Sequence, residues 1–164
     1  MLIIAVAIGI AIWVTTRKHE EVKNDNLKIV TSFYPIHVMT ANITQNIPDV
    51  ELVNMTEANV GCLHDYTIST TDMKKIEKAD IYIQNGLGLE SFMDKIISAY
   101  PELKVIDTSA DIPNKIQDEN ETNPHIWTSV ENYTKQVETI CQKLCKYDSK
   151  NAEKYKVYCG GLVG

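Results

Sequence analysis

Ala79-Asp80-Ile81-Tyr82-Ile83-Gln84-Asn85-Gly86-Leu87-Gly88-Leu89-Glu90 runs from a short apolar stretch through a glycine turn into a helical pattern. Residues 80–84 read as a strand, Asn85-Gly86 turns the chain, and residues 89–99 read as a helix. The same alternation extends both ways. Upstream, residues 27–32 form a strand closed by Phe33-Tyr34-Pro35, and a helix follows from Ile36 to about Asn46, with Pro48 ending the connection. Residues 50–55 are a second strand, and a polar loop over 56–66 carries Gly61-Cys62-Leu63-His64-Asp65. Thr70 or Thr71 can cap a helix running to Lys78, with Met73 and Ile76 on one face. Downstream, residues 103–106 are another strand. Residues 107–124 are acidic and rich in turn formers, as a surface loop would be. Ser129 then caps a helix to about Tyr147, and Asp148 or Ser149 starts the next. This pattern predicts an α/β fold, a parallel sheet of about four strands with helices on both faces.

The 164 residues suit one domain with a real core, and 44% hydrophobic with 23% charged residues is ordinary for a globular protein. The net charge is −6, and no stripe of Lys and Arg argues for nucleic acid. Phe33 and Phe92, with few basic residues between the aromatics, offer no stacking platform for single strands. No internal repeat or low-complexity tract is present.

Residues 2–14 are an unbroken apolar run, followed by Arg17-Lys18 and a polar, charged stretch to Asn26. The run is shorter than the roughly 18–20 residues of a spanning helix and nearer a signal-peptide core. Residues 1–16 are therefore expected to be a signal peptide or membrane anchor and 17–26 a tether. A buried N-terminal strand or helix is the alternative. Cysteines 62, 141, 145 and 159 raise the question of disulfides. Cys141 and Cys145 fall one helical turn apart, a poor disulfide geometry, and their spacing fails the zinc pattern Cys-x-x-Cys. They are expected to be small apolar residues on a buried helix face.

In a parallel sheet the ligand sits beyond the carboxyl ends of the strands. His64 lies in the loop after the second strand and His125 ends the loop after the fourth, so both can reach one rim. Each has chain-stiffening neighbours, Gly61 for the first, Pro124 and Trp127 for the second. Two imidazoles on one rim suit a transition metal such as zinc. His19, in the tether, and His37, near the start of the first helix, are given no metal role. Gly86-Leu87-Gly88 lacks the third glycine of a dinucleotide loop and the Lys-Ser/Thr of a phosphate loop. It reads as a tight turn, with Glu90 favoured by the dipole of the helix it opens. Cys62 and His64, separated by one residue, are badly placed for nucleophilic catalysis, and no Gly-x-Ser-x-Gly elbow is present. The Asn-x-Thr triplets at Asn42, Asn54, Asn120 and Asn132 are assigned no role.

Phe33-Tyr34-Pro35, Cys62-Leu63-His64-Asp65-Tyr66, residues 79–90 and Asn123-Pro124-His125-Ile126-Trp127, in that order, resemble the N-terminal lobe of zinc/manganese solute-binding proteins of ABC importers, the zinc-uptake or adhesin-lipoprotein family. Residues 148–155 resemble the segment leading into that family's inter-lobe helix. The resemblance implies two α/β lobes joined by a rigid helix with the metal between them. In that frame residues 27–147 are the metal-binding lobe, and 148–164 the start of a truncated inter-lobe helix. It also implies that His64 and His125 are the first lobe's ligands, with a third ligand and a carboxylate from the second lobe. It further implies a membrane permease as partner, zinc or manganese as transported ligand, an extracytoplasmic location and no enzyme activity. Asp118-Glu119-Asn120-Glu121 is acidic but lacks the histidines many zinc-specific members carry before the second ligand, and no lipid-acceptor Cys follows the apolar run. The rival readings are a metal-dependent hydrolase, for which no His-Glu-x-x-His is present, and a non-binding adhesion or interaction lobe.

Overall fold

Strand β1 (Leu27–Thr31) lies inside a parallel sheet of order β2-β1-β3-β4, with β2 (Val50–Asn54), β3 (Ile81–Gln84) and β4 (Lys104–Asp107). This computed structural model describes residues 26–57, 60, 63–113, 117–118 and 121–163. The N-terminal apolar run and most of the tether, His19, Gly61 and Cys62 lie outside them.

Register follows burial. Ile29 pairs with Leu52 on one side and Ile81 on the other, and Ile83 pairs with Ile106. Ile29, Ile81, Ile83 and Ile106 face a layer formed by α1 (Tyr34–Thr44), α4 (Val130–Tyr147) and α5 (Ala152–Val163). Val30 and Tyr82 point the other way, into a cluster with Met55, Ile76 and Met93, next to α2 (Thr70–Glu77) and α3 (Asp94–Ala99). A sheet covered on both faces explains why Ile81-Tyr82-Ile83 is apolar without alternation.

Helix starts differ from the sequence expectation for local reasons. Helix α1 begins two residues early, because Pro35 fits a first helical turn, where its missing N–H is no loss. Ser69, rather than Thr70 or Thr71, caps α2. Its hydroxyl accepts from Asp72 N at 3.2 Å, and the Asp72 carboxylate accepts from Ser69 N at 2.9 Å. The helix expected over 89–99 is a short 3₁₀ turn (Ser91–Met93) followed by α3, because Glu90 folds its carboxylate back onto the preceding turn instead of opening a helix. The expected surface loop over 107–124 leaves the sheet through the core, with Thr108, Ser109 and Ile112 buried, and includes a small hairpin, β5 (Gln117–Asp118) with β6 (Glu121–Thr122).

The cysteine expectation is half overturned. Cys141 and Cys145 are not bonded to one another, as helix geometry requires, but Cys141 forms a disulfide with Cys159, Cα–Cα 6.3 Å. Helix α5 folds back on α4 across a 3₁₀ turn (Ser149–Asn151), where the Tyr155 hydroxyl donates to Asp148 Oδ2 at 2.7 Å. The two cysteines lie symmetrically about Lys150 in the chain, so the helical hairpin brings them opposite each other. Cys145 is a free, half-buried thiol.

Candidate metal centre

The connections leaving β2 and β4 meet over the carboxyl ends of the strands. Leu63, fully buried, anchors the first, and a turn from Tyr66 N to Leu63 O leaves His64 exposed beside it. The far side of that turn is tied to α2 by the Tyr66 hydroxyl, which donates to Asp72 Oδ2 at 2.8 Å. Burial, with the Asp72 carboxylate second, pushes the Tyr66 phenol up to about 12. His125 is flanked by the buried Pro124 and Ile126. Trp127 and Phe33 pack edge to face (centroids 4.8 Å), and Trp127 also lies 5.2 Å from the His125 ring. Phe33 and Trp127, from two different sequence motifs, thus form one wall.

The His64 and His125 ring centroids are 5.6 Å apart at an interplanar angle of 55°. With Zn–N near 2.0–2.1 Å and a centroid about 1.1 Å behind the nitrogen, two imidazoles on one tetrahedral ion would have centroids about 5.2 Å apart. The observed ring separation is close to that value. The Asn123 side-chain oxygen accepts from both His125 N (2.9 Å) and His125 Nδ1 (2.8 Å). An amide oxygen can only accept, so His125 Nδ1 carries the proton in this bond. Among the described residues no cluster of three or more His, Cys, Asp or Glu is placed to hold a metal.

His37 lies apart, on α1. Its Nδ1 is 3.2 Å from Thr31 Oγ1, and burial lowers its pKa. The Gly86-Leu87-Gly88 turn is as tight as expected, with φ of 89°, 55° and 79°. Glu90 is buried beneath it, and burial raises its pKa against the backbone donors of Asn85 and Gly86. Asn85, read from sequence only as part of a turn, bonds the Pro124 carbonyl, and Asn123, given no role from sequence, bonds the His125 backbone and ring.

The profile of the family described as zinc-uptake complex component A, periplasmic, matches residues 29–158. The manganese-binding lipoprotein MntA of Halalkalibacterium halodurans is 30% identical over 133 residues, 80% of this chain and 43% of that protein. The iron-binding protein YfeA of Yersinia pestis is 29% identical over 132 residues, 78% of this chain and 42% of its own. The solved Mn-bound periplasmic metal binding protein from Candidatus Liberibacter asiaticus superposes with a TM-score of 0.75 at 30% identity, covering 84% of this chain and 52% of that one. This chain thus spans about half the length of the proteins it matches, and it belongs to the zinc-uptake complex component A family.

Proposed function

We propose that this chain is the N-terminal metal-binding lobe of an extracytoplasmic solute-binding component of a transition-metal ABC importer. It captures the ion, zinc ahead of manganese, and delivers it to a membrane permease without chemical change. The observation that carries the reading is the pair of imidazoles 5.6 Å apart at the carboxyl edge of a parallel sheet. The choice of zinc rests on the two nitrogen donors and on the family's description. The apolar run and tether of residues 1–26 would place the lobe at the cell surface or in the periplasm. No described helix is long and apolar enough to cross a membrane.

In this reading residues 27–147 form the lobe and 148–164 begin the helix to a second lobe that adds the remaining ligands. Complete zinc sites contribute about 10–16 kcal/mol, so two donors of comparable quality give on the order of 5–8 kcal/mol. That is a Kd of about 10⁻⁴ to 10⁻⁶ M. Zinc titration against a chromophoric chelator tests this. His64→Ala and His125→Ala each remove most of the binding, whereas His37→Ala leaves it intact. Equal losses from all three would place the ion elsewhere, and nanomolar binding by the lobe alone would refute the two-lobe account.

A further inference from the structure

A bare turn does not account for how residues 85–90 are built. Leu87 holds a side chain at φ 55° between two glycines of positive φ, a strained arrangement that persists only where the surroundings over-determine it. Beneath the turn lies Glu90, 3% exposed, whose carboxylate accepts from Asn85 N at 2.8 Å and Gly86 N at 3.1 Å. The backbone of Asn85 is thereby fixed. Its side chain is fully buried and satisfied from both ends. Asn85 Oδ1 accepts from Gln136 Nε2 of α4 at 3.1 Å, and the same nitrogen donates to Thr108 Oγ1 at 2.7 Å. Thr108 in turn donates to Asn85 O at 3.1 Å.

The remaining group of Asn85 reaches out of the turn altogether. Its Nδ2 donates to Gly86 O at 3.1 Å and, across 39 positions of sequence, to Pro124 O at 2.9 Å. That carbonyl belongs to the peptide that leads into His125, and it also accepts from Ile126 N at 2.8 Å. A turn needs glycines, not a buried amide, and an apolar residue would fill the same space without the cost of burying polar atoms. The amide is explained by what it grips.

We infer that Asn85 is a positioning residue of the metal centre, its buried amide fixing the Pro124 carbonyl and hence the placement of His125 opposite His64. The inference rests on the reading that these two histidines bind the ion. Loss of a direct hydrogen-bond partner of a metal ligand typically lowers metal affinity about 10–100-fold, and the Asn85 contact acts on His125 through the adjoining peptide.

The test is zinc titration of the chain and of Asn85→Asp, which keeps the shape but sets an oxygen against the Pro124 carbonyl. Asn85→Asp raises the zinc Kd about 10–100-fold. Ile76→Ala, a cavity in the opposite layer with a comparable or greater loss of thermal stability, leaves the Kd within about twofold, separating positioning from general destabilisation. In a His125→Ala background, Asn85→Asp changes the residual affinity no further, because the residue it positions is gone. Where Asn85→Asp does not fold, Gln136→Met, which removes the donor to Asn85 Oδ1, is read by the same thresholds. A rise smaller than tenfold, or one that persists without His125, overturns the inference while saturable, His64-dependent zinc binding by the unaltered chain keeps the metal-centre reading. Absence of such binding in the unaltered chain overturns both.

Discussion

Reduction of the Cys141–Cys159 bridge should lower stability by an amount that the chain connectivity sets. The bridge joins two helices of one hairpin with a sequence separation of 18. In the chain-entropy description, a closed loop of that length removes about 11 cal/mol/K from the unfolded chain, or about 3 kcal/mol at 25 °C. For a domain of this size about 3 °C of Tm accompanies each kcal/mol, so reduction should lower Tm by about 10 °C. Comparing oxidised and reduced protein with identical side chains isolates the crosslink. Cys141→Ala/Cys159→Ala would also remove packing, since Cys141 is 7% exposed within the core. The assay is thermal unfolding followed by circular dichroism, with and without a phosphine reductant, in a Cys145→Ser background that prevents exchange with the free thiol. The double alanine variant, which has no bridge to lose, should not respond to the reductant. A reductant shift below about 3 °C, or an equal response from the double variant, would refute the reasoning. The turn contacts, chiefly the Tyr155 hydroxyl on Asp148, would then hold the hairpin by themselves.

Asp72→Asn should cost about 1 kcal/mol at neutral pH by dismantling the α2 capping box. Burial opposes the Asp72 charge, yet hydrogen bonds from Ser69 and Tyr66 and the Lys75 ammonium hold its pKa below the ordinary 3.8. A lowered folded pKa gives stability that is present above 3.8 and lost as pH falls through the folded value. Urea unfolding across acid pH should therefore show a flatter acid limb in the variant, and parallel limbs would discount the box. Gly86→Ala should lose more than about 1 kcal/mol, because φ is 89° and a Cβ would overlap the Asp107 carboxylate and Ser109 hydroxyl. A urea midpoint equal to that of the unaltered chain would show that the turn can relax.

Periodicity made the sheet legible. Each strand is short, apolar and bounded by turn residues, and those signals are local. Helix starts were less legible, since the choice between Ser69 and Thr70 depends on which hydroxyl meets Asp72. Glu90 was misread for the same kind of reason. A carboxylate at the start of a helical pattern is normally a dipole partner, and only the fold shows it turned back on two amides. The disulfide was not legible from local spacing, because Cys141 and Cys145 share one helix and the bridge runs between two helices. The symmetry of Cys141 and Cys159 about the turn at Lys150 is the signal that would have found it. Asn85 and Asn123 were illegible because their importance lies in partners rather than in type. An asparagine beside a glycine or proline is an ordinary turn former until its amide is seen to reach another segment.

The sheet order makes the meeting of the two imidazoles harder to achieve than their loop positions imply. His64 follows β2 and His125 follows β4, and these are the two edge strands. Three inter-strand spacings separate them, about 14 Å. Rings 5.6 Å apart therefore cannot both stand above their own strands; between them they must be displaced inward toward β1 and β3. Those inner strands are where the connections diverge, one toward β2 and the other toward β4, leaving the crevice at the sheet's carboxyl edge. A loop leaning that far needs an anchor beside the residue it presents, and each histidine has one. Leu63 is sunk in the core next to His64, while Pro124 and Ile126 are buried on either side of His125. The second anchor is locked by Asn85 at the end of inner strand β3. The spacing between the rings is thus set by anchors over the middle of the sheet, more than by the strands the loops leave. Substitutions at those anchors should change ligand geometry at the rim even where the sheet itself is undisturbed.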